Sequence, residues 1–175
     1  MSTNNNDDTD DVFVYMGEGT IVPKDVVRVR VHTSVTALPT CAFENCITLK
    51  EVELFDGLLS IGLSAFQGCL SLKQVHIPST VTNIGHCAFH RAPLPSVDLP
   101  NGLERIGNNP FSYNNIRQFR SPTSLTTTPQ LFCPCNSLFS FELFPRIMKI
   151  KSGAFMGCRS LRNLALPPLL WDGLL

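Results

Sequence analysis

Residues 59–78 read LSIGLSAFQGCLSLKQVHIP, and this stretch recurs along the chain with changes. Its central phenylalanine, Phe66, belongs to a series of phenylalanines spaced by 23, 23, 22, 21 and 23 residues. The position three residues further on is cysteine in four copies, and Ala92 or Asn114 in the other two. Six copies in one register predict a repeat protein. The predicted structural positions are Phe43, Phe66, Phe89, Phe111, Phe132 and Phe155, with Cys46, Cys69, Cys135 and Cys158.

Each copy also contains a short segment in which apolar residues alternate, such as residues 72–77 before Pro78. Alternation over so few residues predicts a strand, and proline ends it because it has no N–H for the next ladder bond. One copy buries about six apolar side chains at roughly 2 kcal/mol each, whereas ordering each of its residues costs at least about 1 kcal/mol. Single copies therefore cannot fold alone and must stack. The seven predicted strands are 27–31, 49–54, 72–77, 94–99, 116–121, 138–143 and 161–166.

The chain resembles the BspA-type leucine-rich repeats, whose unit reads roughly I-G-x-x-A-F-x-x-C-x-S-L-x-x-V-x-I-P. The resemblance covers about residues 24–168 and rests on several positions that recur together. It implies a curved solenoid with one short parallel strand per repeat and irregular or short-helical turns on the outer face. The middle of the chain departs from the pattern, because Pro93 and Pro95 interrupt the third copy and Pro110 replaces the alanine of the fourth. The shortened fifth copy carries Pro129 and Pro134.

The two ends differ from the repeats. Residues 1–11 contain four Asp and three Asn, which predicts a disordered acidic tail. Residues 12–34 are predicted to form an amino-terminal cap, irregular at 12–15 and 21–22, that includes the first strand. Residues 35–175 hold six repeats, the last incomplete, and end in the apolar sequence LPPLLWDGLL. Because solenoid ends normally need a polar cap, this end indicates a truncated array or self-association.

The seven cysteines suggest a disulfide framework, but their positions favour packing. Four of them share a slot with alanine and asparagine, which is typical of a small interior position where a thiol acts as a small hydrophobe. Cys41 and Cys87 share a second slot with Ser64 and Gly153, which we also interpret as packing. Disulfides between adjacent coils are the alternative, since coils about 5 Å apart lie within disulfide range.

Two short clusters resemble metal or nucleophile sites, namely Cys133-Pro-Cys135 and His86-Cys87 with His90. Neither has the two correctly spaced ligand pairs of a structural zinc site. Cys135 also belongs to the interior slot, and we expect Cys87 to point inward while His90 points outward. The sequence contains no G-x-S-x-G, H-E-x-x-H or P-loop motif. We therefore predict no catalytic residue, metal site or cofactor, and no enzyme activity.

Residues that alternate with the inward positions of the predicted strands form two columns on the outward face. One column alternates in sign along its length from Arg30 and Glu53 to Glu142. Because equivalent residues of parallel strands are neighbours, opposite charges there stabilise each other. The face either neutralises itself in water or recognises a partner, as concave solenoid faces commonly do. Phe139 either packs against the irregular fifth repeat or anchors a partner. The predicted partner-facing residues are Arg28, Arg30, Glu51, Glu53, Gln74, His76, Asp98, Gln118, Arg120, Phe139 and Glu142.

Composition excludes several functional classes. Fourteen Lys and Arg cancel fourteen Asp and Glu, and the alternating face does not favour nucleic acid. No apolar window of about 18 residues predicts a membrane span, and no secretory signal is visible. The sequence predicts a non-catalytic, cytoplasmic module that binds a protein through the concave sheet face. A cell-surface or secreted adhesive protein is the alternative, and a count of free thiols would separate the two, because disulfides form in oxidising compartments.

Overall fold

The computed structural model describes residues 12–128 and 130–167, which form a parallel β-solenoid of about six turns. This confirms the predicted solenoid, and no helix occurs in those two ranges. The acidic residues 1–11 and the apolar residues 168–175, for which a tail and a self-association surface are predicted, lie outside the described residues. The strands are β1 Val12–Tyr15, β2 Arg28–Val31, β3 Ala37–Leu38, β4 Glu51–Glu53, β5 Ser60–Ile61, β6 Asn83–Ile84, β7 Arg105–Ile106, β8 Gln118–Arg120, β9 Thr127–Thr128, β10 Ser140–Glu142, β11 Lys149–Ile150 and β12 Asn163–Ala165.

The longer strands form a first ladder in which every pair is parallel. It consists of β1, β2 and β4 near the amino terminus, and of β8, β10 and β12 further along. Pairing joins equivalent residues of successive repeats, so that Val29 lies beside Val52 and Phe119 beside Phe141. In β2, β4 and β8 the valine or phenylalanine is buried and the flanking charged or polar residues are more exposed. This is the alternation that the sequence predicts.

The amino-terminal cap is more regular than expected. Residues 12–15, for which the sequence predicts irregular structure, form strand β1 and pair in parallel with β2. Tyr15 ends this strand with its side chain buried, and its ring meets Phe43 edge-on at 5.0 Å. The cap therefore supplies an extra coil edge, because its alternating side chains pack on the first repeat as a repeat strand does.

The first ladder is interrupted in the middle of the chain. Residues 72–77 and 94–99, both predicted strands, form no strand in the structure. Where the ladder is intact, the residue before the strand donates its N–H to its counterpart one coil back, as Lys50 does to Val27 and Phe139 does to Arg117. Pro95 occupies this position and has no N–H to donate. The missing N–H of Pro95 explains why residues 94–99 do not pair with residues 72–77. No comparable feature of the sequence explains why residues 72–77 do not pair with β4.

A second ladder of two-residue strands was not predicted. It joins β3, β5, β6 and β7, and separately β9 and β11. The glycine after three of these strands lets the coils approach closely. A Cβ at Gly62, Gly85 or Gly107 would lie 2.6, 2.5 or 2.4 Å from backbone atoms of the preceding coil. The Ile-Gly pair of the repeat thus marks a strand followed by a backbone contact that no side chain fits.

The core is a column of phenylalanine rings between the two ladders. Phe43, Phe66 and Phe89 stack with centroids 5.1 Å apart, and Phe89 lies 5.7 Å from Phe111. Phe132 continues the column at 5.9 Å from Phe111 with a tilt of 30°. All five rings are fully buried. Offset or edge-to-face aromatic pairs add about 0.5–1.5 kcal/mol beyond burial, so the column stabilises the stacking of each coil on the next.

The carboxyl-terminal half fills its core with additional rings. Phe119 and Phe141 occupy the strand position that valine holds in β2 and β4, and their rings lie 5.1 Å apart. Phe141 meets Phe155 edge-on at 4.9 Å. Phe155 itself is only partly buried. The larger strand residues compensate for the irregular fifth repeat, in which the stacked geometry of the column gives way to tilted and edge-on contacts.

Candidate functional site

The candidate site is the strand face, which we define as the outward residues of the first ladder and of the two interrupted segments. At its amino-terminal end the charges pair across neighbouring strands. Arg28 Nε lies 3.4 Å from a Glu51 oxygen, and Arg30 Nε donates to Glu53 at 2.5 Å. The hydrogen bond from Arg30 lowers the pKa of Glu53. Both pairs are exposed, so they neutralise the surface and contribute little to stability.

The other end of the strand face is paired in the same way. Arg120 Nε donates to Glu142 at 2.8 Å, and the guanidinium of Arg120 lies 5.9 Å from the ring centre of Phe144. Gln118 sits beside Ser140 in the β8–β10 register. Self-neutralisation, one of the two interpretations of the alternating column, therefore describes both ends of the face.

The middle of the strand face is different. Gln74, His76, Ser96 and Asp98 lie on the interrupted segments, and neither His76 nor Asp98 makes an ion pair with any residue in the described ranges. Asp98 lines two neighbouring clefts. One, of about 400 Å³, it shares with His76 and Asp56. The other, of about 350 Å³, it shares with Gln118, Arg120, Ser140 and Glu142. Both clefts thus adjoin the interrupted segments, and the second also reaches the paired Arg120 and Glu142.

Phe139 lies at the edge of the strand face with 43% of its surface exposed. Its N–H donates to the carbonyl of Arg117 at 2.8 Å, so its backbone belongs to the ladder although its side chain points away from the core. The ring has no aromatic partner among the described residues, unlike the rings of Phe119 and Phe141. Its slot is shared by residues that are all exposed, namely Lys50, Lys73, Pro95, Arg117 and Arg162.

The interior cysteine slot supplies a hydrogen-bond donor as well as a small side chain. Cys69 Sγ donates to the carbonyl of Phe43 at 3.1 Å, and Cys158 Sγ donates to that of Phe132 at 3.7 Å. In another repeat Asn114 Nδ2 donates to the carbonyl of Phe89 at 2.8 Å. Cys69, Cys158 and Asn114 therefore donate to the equivalent carbonyl one coil back, which packing alone does not explain. Cys135 differs, because its Sγ donates to the carbonyl of Asn114 at 3.5 Å.

The second cysteine slot is a backbone position with a left-handed conformation. Cys41, Ser64, Cys87, Asn109 and Gly153, each two residues before a core phenylalanine, have φ between 53° and 73°. This conformation costs a residue other than glycine about 1 kcal/mol. Packing, the interpretation drawn from the sequence for Cys41 and Cys87, is therefore incomplete, because turn geometry selects this slot.

The comparisons with known proteins fit this repeat geometry. The family model for the BspA-type leucine-rich repeat region matches six copies, over residues 24–130 and 59–170. The chain belongs to this BspA-type family. The resemblance seen in the sequence is confirmed, and it extends over nearly the whole described structure. No curated protein matches the chain.

Solved leucine-rich repeat proteins share the fold of this BspA-type chain. A protein from Bacteroides ovatus ATCC 8483 is 28% identical with a TM-score of 0.80, over 84% of this chain and 39% of that one. The T. pallidum leucine-rich repeat protein is 29% identical with a TM-score of 0.71, over 85% of this chain and 68% of that one. The pneumococcal vaccine antigen PcpA, 20% identical with a TM-score of 0.53 over 83% of this chain and 40% of that one, shares the fold alone.

Burial disfavours the thiolate form of five cysteines of this BspA-type chain. All seven cysteines are free. Burial raises the pKa of Cys69 to about 12 and that of Cys158 to about 11, and burial also raises the pKa of Cys46, Cys87 and Cys135. A nucleophilic cysteine needs a thiolate, which these surroundings disfavour.

The histidine cluster near Cys87 does not converge on one point. His86 Nδ1 accepts a hydrogen bond from the N–H of Asn108 at 3.1 Å, whereas His90 packs its ring edge-on to Tyr113 at 5.3 Å. Burial, with a smaller effect of Arg91, lowers the pKa of His90. Within residues 12–128 and 130–167, no three His, Cys, Asp or Glu side chains are grouped to hold a metal ion. The same ranges contain no helix that is long and apolar enough to cross a membrane.

Proposed function

We propose that this leucine-rich repeat chain is a non-catalytic module that binds a protein partner through the middle of its strand face. The observation that carries the proposal is the contrast along the face. Arg28, Arg30 and Arg120 are paired with glutamates at the two ends, while His76 and Asp98 between them are exposed and unpaired within the described residues. A partner that supplies charges or hydrogen bonds there would not have to break existing pairs.

The geometry of the middle also suits a binding surface. The two clefts that Asp98 lines present polar groups from His76 to Glu142, interspersed with apolar wall residues. Hydrogen-bonding groups in such clefts discriminate between partners, because a wrong partner leaves them desolvated and unsatisfied. The self-paired ends would form a polar rim around this surface, where mutations have small effects.

Affinity capture followed by quantitative binding tests the proposal. The full chain is immobilised, a captured protein is identified and purified, and its affinity is measured by calorimetry. A double substitution, His76→Ala with Asp98→Ala, is expected to weaken binding by about tenfold or more, since central interface residues dominate affinity. The matched control, Glu104→Ala with Lys149→Ala, removes an exposed acid directly before β7 and an exposed base in β11, both on the second ladder and away from the strand face. Equal affinity of the two double variants would contradict the proposal.

A further inference from the structure

Two equivalent side chains of neighbouring repeats, Ile47 and Leu70, are exposed although they are aliphatic. Each has 52% of its surface exposed, and together they line one shallow depression of about 220 Å³. The slot they occupy follows the interior cysteine slot, and in the later repeats it holds Pro93, Asn115, Asn136 and Arg159. The fold therefore does not require an aliphatic residue there. Adjacent exposed apolar side chains rimmed by polar groups are typical of an interaction site.

Three cations border the aliphatic pair. Lys50 and Lys73 line a cleft of about 490 Å³ that Leu70 also lines, and Arg91 lines the depression on the other side of Leu70. None of the three makes an ion pair with a residue of 12–128 or 130–167. Glu51, the acid in the cleft, lies 3.4 Å from Arg28, so its charge is already compensated.

We propose that these five residues, Ile47, Lys50, Leu70, Lys73 and Arg91, form an edge patch that binds an acidic polypeptide segment carrying aliphatic side chains. Lys50 and Lys73 line the same cleft, so both ammonium groups can contact one carboxylate that enters it. Aliphatic side chains of the segment cover Ile47 and Leu70. The inference rests on the proposed function in treating the chain as a protein-binding module, but it uses a surface separate from His76 and Asp98.

The composition of the edge patch favours an acidic polypeptide over other anions. A protein that binds nucleic acid strongly uses a row of cations that make about six to ten phosphate contacts. The edge patch offers three cations around an aliphatic pair, which matches a chain that mixes carboxylates with apolar side chains. The protein also carries its own acidic stretch, because residues 7–11 contain four aspartates directly before β1. That acidic stretch could occupy the edge patch itself, so the experiment distinguishes it from a segment of another protein.

Selection from a displayed library of random peptides, about 12 residues long so that they span the patch, provides the probe. The full chain is the bait, and enriched peptides are synthesised and measured by fluorescence anisotropy. We expect enrichment of Asp and Glu together with aliphatic residues. Lys50→Gln with Lys73→Gln should weaken binding by about tenfold, and Leu70→Asn by a similar factor. Leu70→Asn places in the slot the residue that Asn115 and Asn136 provide in other repeats, and circular dichroism verifies its folding.

Arg117→Gln with Arg162→Gln is the matched control, because both arginines occupy the slot of Lys50 and Lys73 in distant repeats. Binding within about twofold of the unmodified chain is expected for it. The proposal is overturned if the enriched peptides are not acidic, if none are enriched, or if both double variants bind equally. It is also overturned if an oligonucleotide of equal charge competes as well as the peptide.

Enrichment only after Asp7, Asp8, Asp10 and Asp11 are changed to Asn would overturn the proposal as well, because it would identify the chain's own acidic stretch as the occupant. The variant His76→Ala with Asp98→Ala should bind the peptides normally. Failure of the edge patch therefore leaves the test of the strand face unaffected, and failure of the strand face leaves the edge patch unaffected.

Discussion

Truncation of Phe66 to alanine should be the most damaging single change in the phenylalanine column. The ring is fully buried and stacks on Phe43 and on Phe89, both at 5.1 Å and with interplanar angles of 13° and 7°. A buried phenylalanine removes at least about 150 Å² from water, which is about 4 kcal/mol at about 25 cal/mol per Å². The loss of the two ring contacts adds to this value. The alanine side chain that stays buried and the partial collapse of the cavity reduce it. The expected net loss in the free energy of unfolding is about 3–5 kcal/mol.

Urea denaturation followed by circular dichroism measures this loss. Phe139→Ala is the control, because its ring is 43% exposed and has no aromatic partner among the described residues, and it should cost less than about 1 kcal/mol. If Phe66→Ala does not fold, Phe66→Leu keeps most of the volume and should cost about 1–2 kcal/mol. A loss below about 1 kcal/mol for Phe66→Ala would refute the reasoning, since the column would then not hold the coils together.

Three further changes test the repeat geometry. Gly85→Ala should destabilise the chain by about 2 kcal/mol or more in the same assay, since its Cβ would lie 2.5 Å from the backbone N of Leu63, whereas Gly102→Ala, with its nearest contact at 3.7 Å, should be nearly neutral. Asn114→Ala should cost about 1 kcal/mol because it removes the 2.8 Å hydrogen bond to the carbonyl of Phe89, which keeps only the N–H of Ala92 at 3.1 Å, and Asn114→Cys should recover part of that loss. Burial raises the pKa of Cys69 from 9.0 to about 12. The stability that the neutral Cys69 thiol contributes is therefore intact below pH 9 and is lost as the pH rises toward 12. Between pH 8 and 10 the unmodified chain should therefore lose about 1 kcal/mol more than Cys69→Ala, and an equal loss in both would show that this thiol is not shielded.

Much of the fold could be predicted from periodicity. The spacing from Phe43 to Phe155 defines the coil and its core, and alternation in segments such as 49–54 and 116–121 indicates the strands of the first ladder. Both signals are local and repeat in every copy. The second ladder could not be predicted in this way, because its strands have two residues each and show no alternation.

The left-handed turns could not be predicted from the sequence for a different reason. Glycine and asparagine signal a left-handed backbone, but Cys41, Cys87, Arg91 and Tyr113 adopt it without being either. The left-handed conformation is indicated only when the repeats are aligned, because Gly153 then shares a slot with Cys87 and Gly68 shares one with Arg91. The stacking of coils imposes the conformation on residues that would not choose it alone.

The columns of outward residues that form the candidate site could be predicted from the sequence. The division of the strand face into paired ends and an unpaired middle could not. The positions of Arg30, Glu53, His76 and Asp98 follow from the repeat, and so does their exposure on one face. Which charges pair depends on how closely the coils approach, and the interruption at 72–77 and 94–99 determines that. The edge patch was missed because Ile47 and Leu70 look like ordinary core residues until their slot is compared across repeats.

Site-specific photo-crosslinking tests most directly the claim that the strand face binds the partner through its middle. A photoreactive amino acid replaces Ser96, which is exposed on an interrupted segment and lines one of the two clefts, or Met148, which is 71% exposed and directly precedes β11 of the second ladder. With the purified partner, a crosslink from position 96 and none from position 148 is the predicted result. A crosslink from position 148 alone would contradict the proposed function.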